Sequence, residues 1–94
     1  MAGSDIRTKR ASSLTGNQSI GRCRLRQLYV TAAGGAGRLT LKDGTGGEDR
    51  LDIDFTTGST YDVYIPDEGI LFTDDVHIHA ATTANVTGIT FMWS

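Results

Sequence analysis

Asp49-Arg50-Leu51-Asp52-Ile53-Asp54-Phe55, followed after Thr56 to Ser59 by Thr60-Tyr61-Asp62-Val63-Tyr64-Ile65, is the stretch whose reading decides the fold. Leu51, Ile53 and Phe55 alternate with charged residues, and beyond Thr57-Gly58-Ser59 the alternation resumes at Tyr61, Val63 and Ile65. A period of two places each apolar set on one face of a strand, so the segment predicts a half-buried hairpin running on to Phe72. One apolar sheet face requires a second layer above it, and the rest of the chain offers only further strands.

Working outward, Pro66-Asp67-Glu68-Gly69 has turn chemistry and ends the ladder, since Pro66 has no amide hydrogen to give. Ile70-Leu71-Phe72 reads as a short buried strand that Asp74-Asp75 breaks. Val76, Ile78 and Ala80 then alternate with His77 and His79, Thr82 to Asn85 turn, and Val86 to Trp93 forms a last strand with Ile89, Phe91 and Trp93 in phase. Upstream, Arg38 to Lys42 points Leu39 and Leu41 inward. In Arg22 to Thr31 the apolar phase changes from Cys23 and Leu25 to Leu28 and Val30, which predicts a bulge near Arg26-Gln27. Twelve glycines and the recurring β-branched residues leave no segment of helical period. The expectation is an all-β, single-domain β-sandwich of jelly-roll type with seven or eight short antiparallel strands. Residues 15–94 form the sandwich, and residues 1–14 form a basic N-terminal arm or an edge strand.

Ninety-four residues make one small domain with a thin core, which association would help. No apolar run approaches the roughly 20 residues of a membrane-spanning helix. The opening Met1-Ala2-Gly3-Ser4-Asp5 leads into polar and basic residues, so synthesis in a cytoplasm without a signal peptide is expected. Cys23 is the one cysteine and reads as a buried small apolar residue. The net charge of -2 conceals a division: the chain to Arg26 carries +5 and the remainder -7. Such a division is satisfied by cross-strand pairs within one fold, or between copies.

Chemical motifs are sparse. His77 and His79 share a strand face and are candidates for a metal site, which needs a third and usually a fourth ligand; Asp74 and Asp75 are near in sequence, but no second histidine-bearing segment exists. Asp52 and Asp54, joined by Asp62 across the expected hairpin, form an acidic face whose expected role is pairing with Arg22, Arg24 and Arg26, within or between subunits. The glycine-rich stretches 34–37 and 44–47 lead into strands, whereas a phosphate cradle has a helix N-terminus behind it. The triplets Asn17-Gln18-Ser19 and Asn85-Val86-Thr87 match the glycosylation pattern by chance in a chain without an export signal. No nucleophile has an activating context, so no catalytic residue and no cofactor is expected. Nucleic acid is not an expected partner, because the larger, acidic part of the chain repels a phosphate backbone.

Ile6-Arg7-Thr8-Lys9-Arg10, Gly37-Arg38-Leu39-Thr40-Leu41 and Ile65-Pro66-Asp67-Glu68-Gly69-Ile70-Leu71-Phe72 together resemble the small all-β virion structural proteins of tailed phages, particularly those of marine and cyanobacterial hosts. The resemblance implies a β-sandwich carried in many copies on the particle, as a capsid decoration (cement) protein or a tail-associated component. It implies a homo-oligomer bound to the major capsid protein lattice and a virion location, with no enzymatic activity and no site residue to carry over. Within that expectation Arg7, Lys9 and Arg10 are the candidate partner contacts. The alternative is a carbohydrate-binding, host-recognition module of a tail or capsid fibre, for which Tyr29 and Tyr64 are the outward aromatic residues.

Overall fold

A computed structural model describes residues 6–56, 60–79 and 85–94. Among the described residues there are nine strands: β1 (Arg7–Arg10), β2 (Gly16–Asn17), β3 (Cys23–Ala32), β4 (Gly37–Asp43), β5 (Asp49–Phe55), β6 (Thr60–Tyr64), β7 (Ile70–Phe72), β8 (Val76–Ile78) and β9 (Val86–Trp93). They form two antiparallel sheets stacked as a β-sandwich. The first sheet has the order β1-β9-β3-β6, with β7 also on β3; the second has the order β2-β8-β4-β5.

β3 is the spine of the first sheet. One side pairs with β9 throughout; the other pairs Gln27–Thr31 with β6 and Cys23–Leu25 with β7. The register shifts between Leu25 and Gln27, the bulge that the phase change predicts. Two residues there oppose one, so Leu25 and Leu28 both face inward although three positions apart. Pro66–Gly69 fills the interruption on the other side of β3: the Gly69 amide donates to the Pro66 carbonyl at 3.3 Å, and the Ile65 amide reaches the Arg26 carbonyl at 3.1 Å. At Gly69 a Cβ would lie 2.4 Å from the Leu25 carbonyl oxygen, and φ is +77°, so close approach and backbone conformation both require glycine.

The expected hairpin between 49–55 and 60–65 does not form. β5 pairs with β4 in one sheet and β6 with β3 in the other, so the chain has changed sheets between the end of β5 and the start of β6. Alternation alone does not distinguish the two arrangements, since Leu51, Ile53 and Phe55 face Tyr61, Val63 and Ile65 across the interior instead of lying beside them. The Phe55 and Tyr61 rings mark the crossing, with centroids 5.4 Å apart. Asp62 is therefore not across a hairpin from Asp52 and Asp54, and no single acidic face joins the three.

The core lies between the sheets. Leu25, Leu28, Val30, Phe72, Ile89 and Phe91 from one sheet meet Leu39, Leu41, Val76 and Ile78 from the other, all without solvent exposure. Each contributes roughly 1.5–3 kcal/mol on burial, the main favourable term for a domain of this size. Cys23 is buried with them. β1 takes the edge-strand alternative left open by sequence: Arg7, Thr8, Lys9 and Arg10 stand opposite Trp93, Met92, Phe91 and Thr90.

Candidate interaction surface

The register of the first sheet sorts the basic residues. Lys9 stands opposite Phe91 and takes the inward phase, its ammonium donating to the Gln18 carbonyl at the sandwich border. Arg10 stands opposite Thr90 on the outer face, and its guanidinium lies over Gly88, 2.7 Å from where a Cβ on that glycine would sit. Arg24 exchanges both backbone hydrogen bonds with Ser94, so the end of β9 brings Arg22, Arg24 and Arg26 to the same end of the sheet as Arg7. Arg26 is held by the Ser94 hydroxyl at 2.9 Å and the Asp67 carbonyl at 3.2 Å. Among the described residues none of these six cations has a carboxylate partner.

Aromatic residues share this face. Tyr29 stands between Asp62 and Thr90, and Tyr64 stands opposite Gln27, which faces Met92 on its other side. Tyr64 is 73% exposed and Tyr29 42%. The Gln27 amide donates to Asp62. Beside Tyr64 a shallow pocket of about 250 Å³ is lined by Ile6, Arg26, Gln27, Ile65, Asp67 and Met92.

The acidic residues behave differently from expectation. Asp54 and Asp52 share Arg38, at 2.8 and 3.7 Å; Asp49 pairs with Lys42 at 2.7 Å; Arg50 lies 3.2 Å from Asp43 and 3.9 Å from Glu48. Among the described residues Arg22, Arg24 and Arg26 take no part in these pairs within one copy. The cause is the register of β4 and β5, which sets Arg38 opposite Asp54 and Lys42 opposite Asp49.

Two aspartates serve as loop clamps, a role that alternation does not reveal. Asp75 is buried, and its carboxylate accepts the amides of Ser19, Ile20, Gly21 and Val76 at 2.8–2.9 Å. Burial pushes its pKa up, but the amides together outweigh that and hold the carboxyl below its ordinary value. Asp43 accepts from the Thr73 and Asp74 amides and the Thr73 hydroxyl. The Asp74 amide first, then the Thr73 hydroxyl, hold it well below the usual carboxylate range. The signal available in sequence was only that aspartates beside turns accept backbone amides.

His77 Nδ1 lies 2.9 Å from Asn17 Oδ1, an acceptor, which assigns the proton to Nδ1. His79 leads out of β8, with its amide on the Thr40 carbonyl at 3.1 Å. Among the described residues no group of three or more His, Cys, Asp or Glu side chains is arranged to hold a metal ion. Asn17 and Asn85 spend their amide groups on Thr45 Oγ1 and the Ala36 carbonyl. Cys23 has its thiol pushed up to about 11, by burial first and then by the charges of Asp75 and Asp43.

No protein-family model, curated protein or solved structure matches the chain.

Proposed function

We propose that this chain is a virion structural protein of a tailed phage, a capsid decoration protein that binds the major capsid protein lattice as a homo-oligomer. The observation that carries the proposal is the β1-β9-β3-β6 sheet: six cations along its β1 border and its outer face have no carboxylate partner among the described residues, and they lie beside exposed Ile6, Tyr29 and Tyr64. A mixed basic and apolar face on a rigid sheet suits a broad acidic protein surface, where charge complementarity sets register and the aromatic residues supply contact area. Many copies make individually weak contacts sufficient through avidity. The resemblance of 6–10, 37–41 and 65–72 to phage virion proteins points the same way.

Quantitative mass spectrometry of purified particles from the producing culture tests this. The chain should be present in amounts comparable to the shell subunit, and its absence would overturn the proposal. Substitution of Arg7, Lys9 and Arg10 by Ala should lower occupancy on particles while the isolated domain stays folded; unchanged occupancy removes those residues from the contact.

A second function is favoured by Tyr29 and Tyr64 sharing one face beside the 250 Å³ pocket. Exposed aromatic rings next to the amide of Gln27 and the guanidinium of Arg26 suit a saccharide, for which rings stack and planar polar groups take hydroxyls. Glycan-array binding lost in Tyr64→Ala would replace the decoration role with a host-recognition module.

A further inference from the structure

The strand orders place the two sheet ends of like position side by side. β1 and β2 close one lateral side of the sandwich, and β6 and β5 close the other. β1 pairs only with β9, β5 only with β4 and β6 only with β3 among the described residues, so each presents a row of backbone groups outward. Their charges are opposite. β1 carries Arg7, Lys9 and Arg10. Across the molecule, Arg38 is shared by Asp52 and Asp54, Arg50 is shared by Asp43 and Glu48, and among the described residues Asp62 meets the Gln27 amide and no cation. Three carboxylates there are in excess, against three cations on β1.

Resting on the homo-oligomeric part of the proposed function, we propose that copies of this chain join side by side, the β1 edge of one against the β6 edge of the next, flanked by acidic β5. β1 has four residues and β6 five, so the lengths match. The first sheet then runs on through the joint by strand addition. Like charges oppose β1 meeting β1 and the acidic side meeting itself, so the contact is heterologous, and repetition gives a closed ring or an open filament. Half-buried Leu51, Ile53, Val63 and Ile65 along the β5/β6 seam gain cover from the neighbour.

The test is the solution mass of the purified full chain by light scattering. The wild type should run at a multiple of 10.1 kDa in dilute salt. Its mass should fall as salt rises from about 0.05 M to about 0.5 M, where the screening length shortens from beyond 10 Å to about half that. R7E/R10E and E48K/D54K/D62K should each run as monomers, and an equimolar mixture should associate again above the monomer mass, since each then offers the edge the other lacks. A monomeric wild type in dilute salt overturns the contact, as does a mass that neither variant lowers. Should circular dichroism show a variant unfolded, the wild-type salt series decides, and a salt-independent mass overturns the proposal. A chain abundant on particles yet monomeric in solution refutes this contact alone; a salt-sensitive oligomer absent from particles refutes the virion role alone.

Discussion

Asp75→Ala should destabilise the domain by about 4 kcal/mol, because one carboxylate ends the backbone donors of a whole loop. Oδ1 accepts Ile20, Gly21 and Val76, and Oδ2 accepts Ser19. Exposed Ser19 regains water at little loss. The Val76 amide, in a buried residue, loses its acceptor outright at about 1–3 kcal/mol, and the half-buried Ile20 and Gly21 amides add about half as much each. Ser19 has φ +59° and Gly21 +78°, so the clamp also holds a loop with little conformational preference of its own. Against a total of roughly 5–14 kcal/mol for a chain of this length, the loss should be plain in urea unfolding as a lower midpoint at unchanged slope. Asp75→Asn should lose less, about 1–2 kcal/mol: its carbonyl oxygen replaces Oδ1, while its amide nitrogen meets the Ser19 amide donor to donor.

The pH dependence follows from the lowered folded-state pKa of Asp75. A carboxyl depressed on folding stabilises fully above its unfolded value of about 3.9, and that stabilisation is lost as pH falls through the folded value. The difference between wild type and Asp75→Asn should therefore be constant from pH 7 to about pH 5 and shrink below pH 4. Asp43 titrates in both proteins and cancels from the difference. A loss in Asp75→Ala below 0.5 kcal/mol, or a wild-type to Asn difference independent of pH, would refute the reasoning.

Three more predictions concern the interior and the loops. With its thiol pushed up to about 11, Cys23 is almost wholly protonated at pH 8, so a thiol reagent should label the unfolded chain readily and the native chain hardly at all; rapid native labelling would contradict its burial. Gly69→Ala should cost more than Gly46→Ala, about 2–3 against about 1 kcal/mol by urea unfolding: both have positive φ, but only at Gly69 does a Cβ meet backbone. Zinc added to the purified protein should remain after desalting at well below one per chain, since His77 is held by Asn17; stoichiometric retention would restore His77 and His79 as a site.

What the sequence makes legible here is facing, and what it hides is partnership. Alternation identified Leu39, Leu41, Val76, Ile78, Ile89 and Phe91 as inward, and an insertion in that alternation located the bulge after Leu25. Both are properties of one strand. The neighbour of a strand is not, and the 49–65 segment shows the difference: a hairpin and a crossing between sheets have the same pattern when both bury one face. The connection from Phe55 to Tyr61 is short enough for either. The Phe55–Tyr61 contact sits where the chain passes between sheets, and no periodicity announces it. The Asp75 clamp joins residues more than fifty positions apart and was hidden for the same reason.

The charge division shows the same limit from another side. Arg38, Thr40 and Lys42 alternate on β4 and meet Asp54, Asp52 and Asp49 because 37–43 and 49–55 are the true hairpin, joined by a short loop that Asp43 and Gly44 start. The basic residues nearest in sequence to the acidic run thus take its carboxylates. Those of the N-terminal third, carried on β1 and the first half of β3, are left on another sheet with none among the described residues. An imbalance along the chain has become an imbalance across the surface: local pairing shares each of Arg38 and Arg50 between two carboxylates and leaves β1 unmatched. Cross-strand pairing cannot neutralise such a molecule internally, because the unmatched cations of β1 and the surplus carboxylates beside β5 and β6 sit on opposite lateral sides of the sandwich.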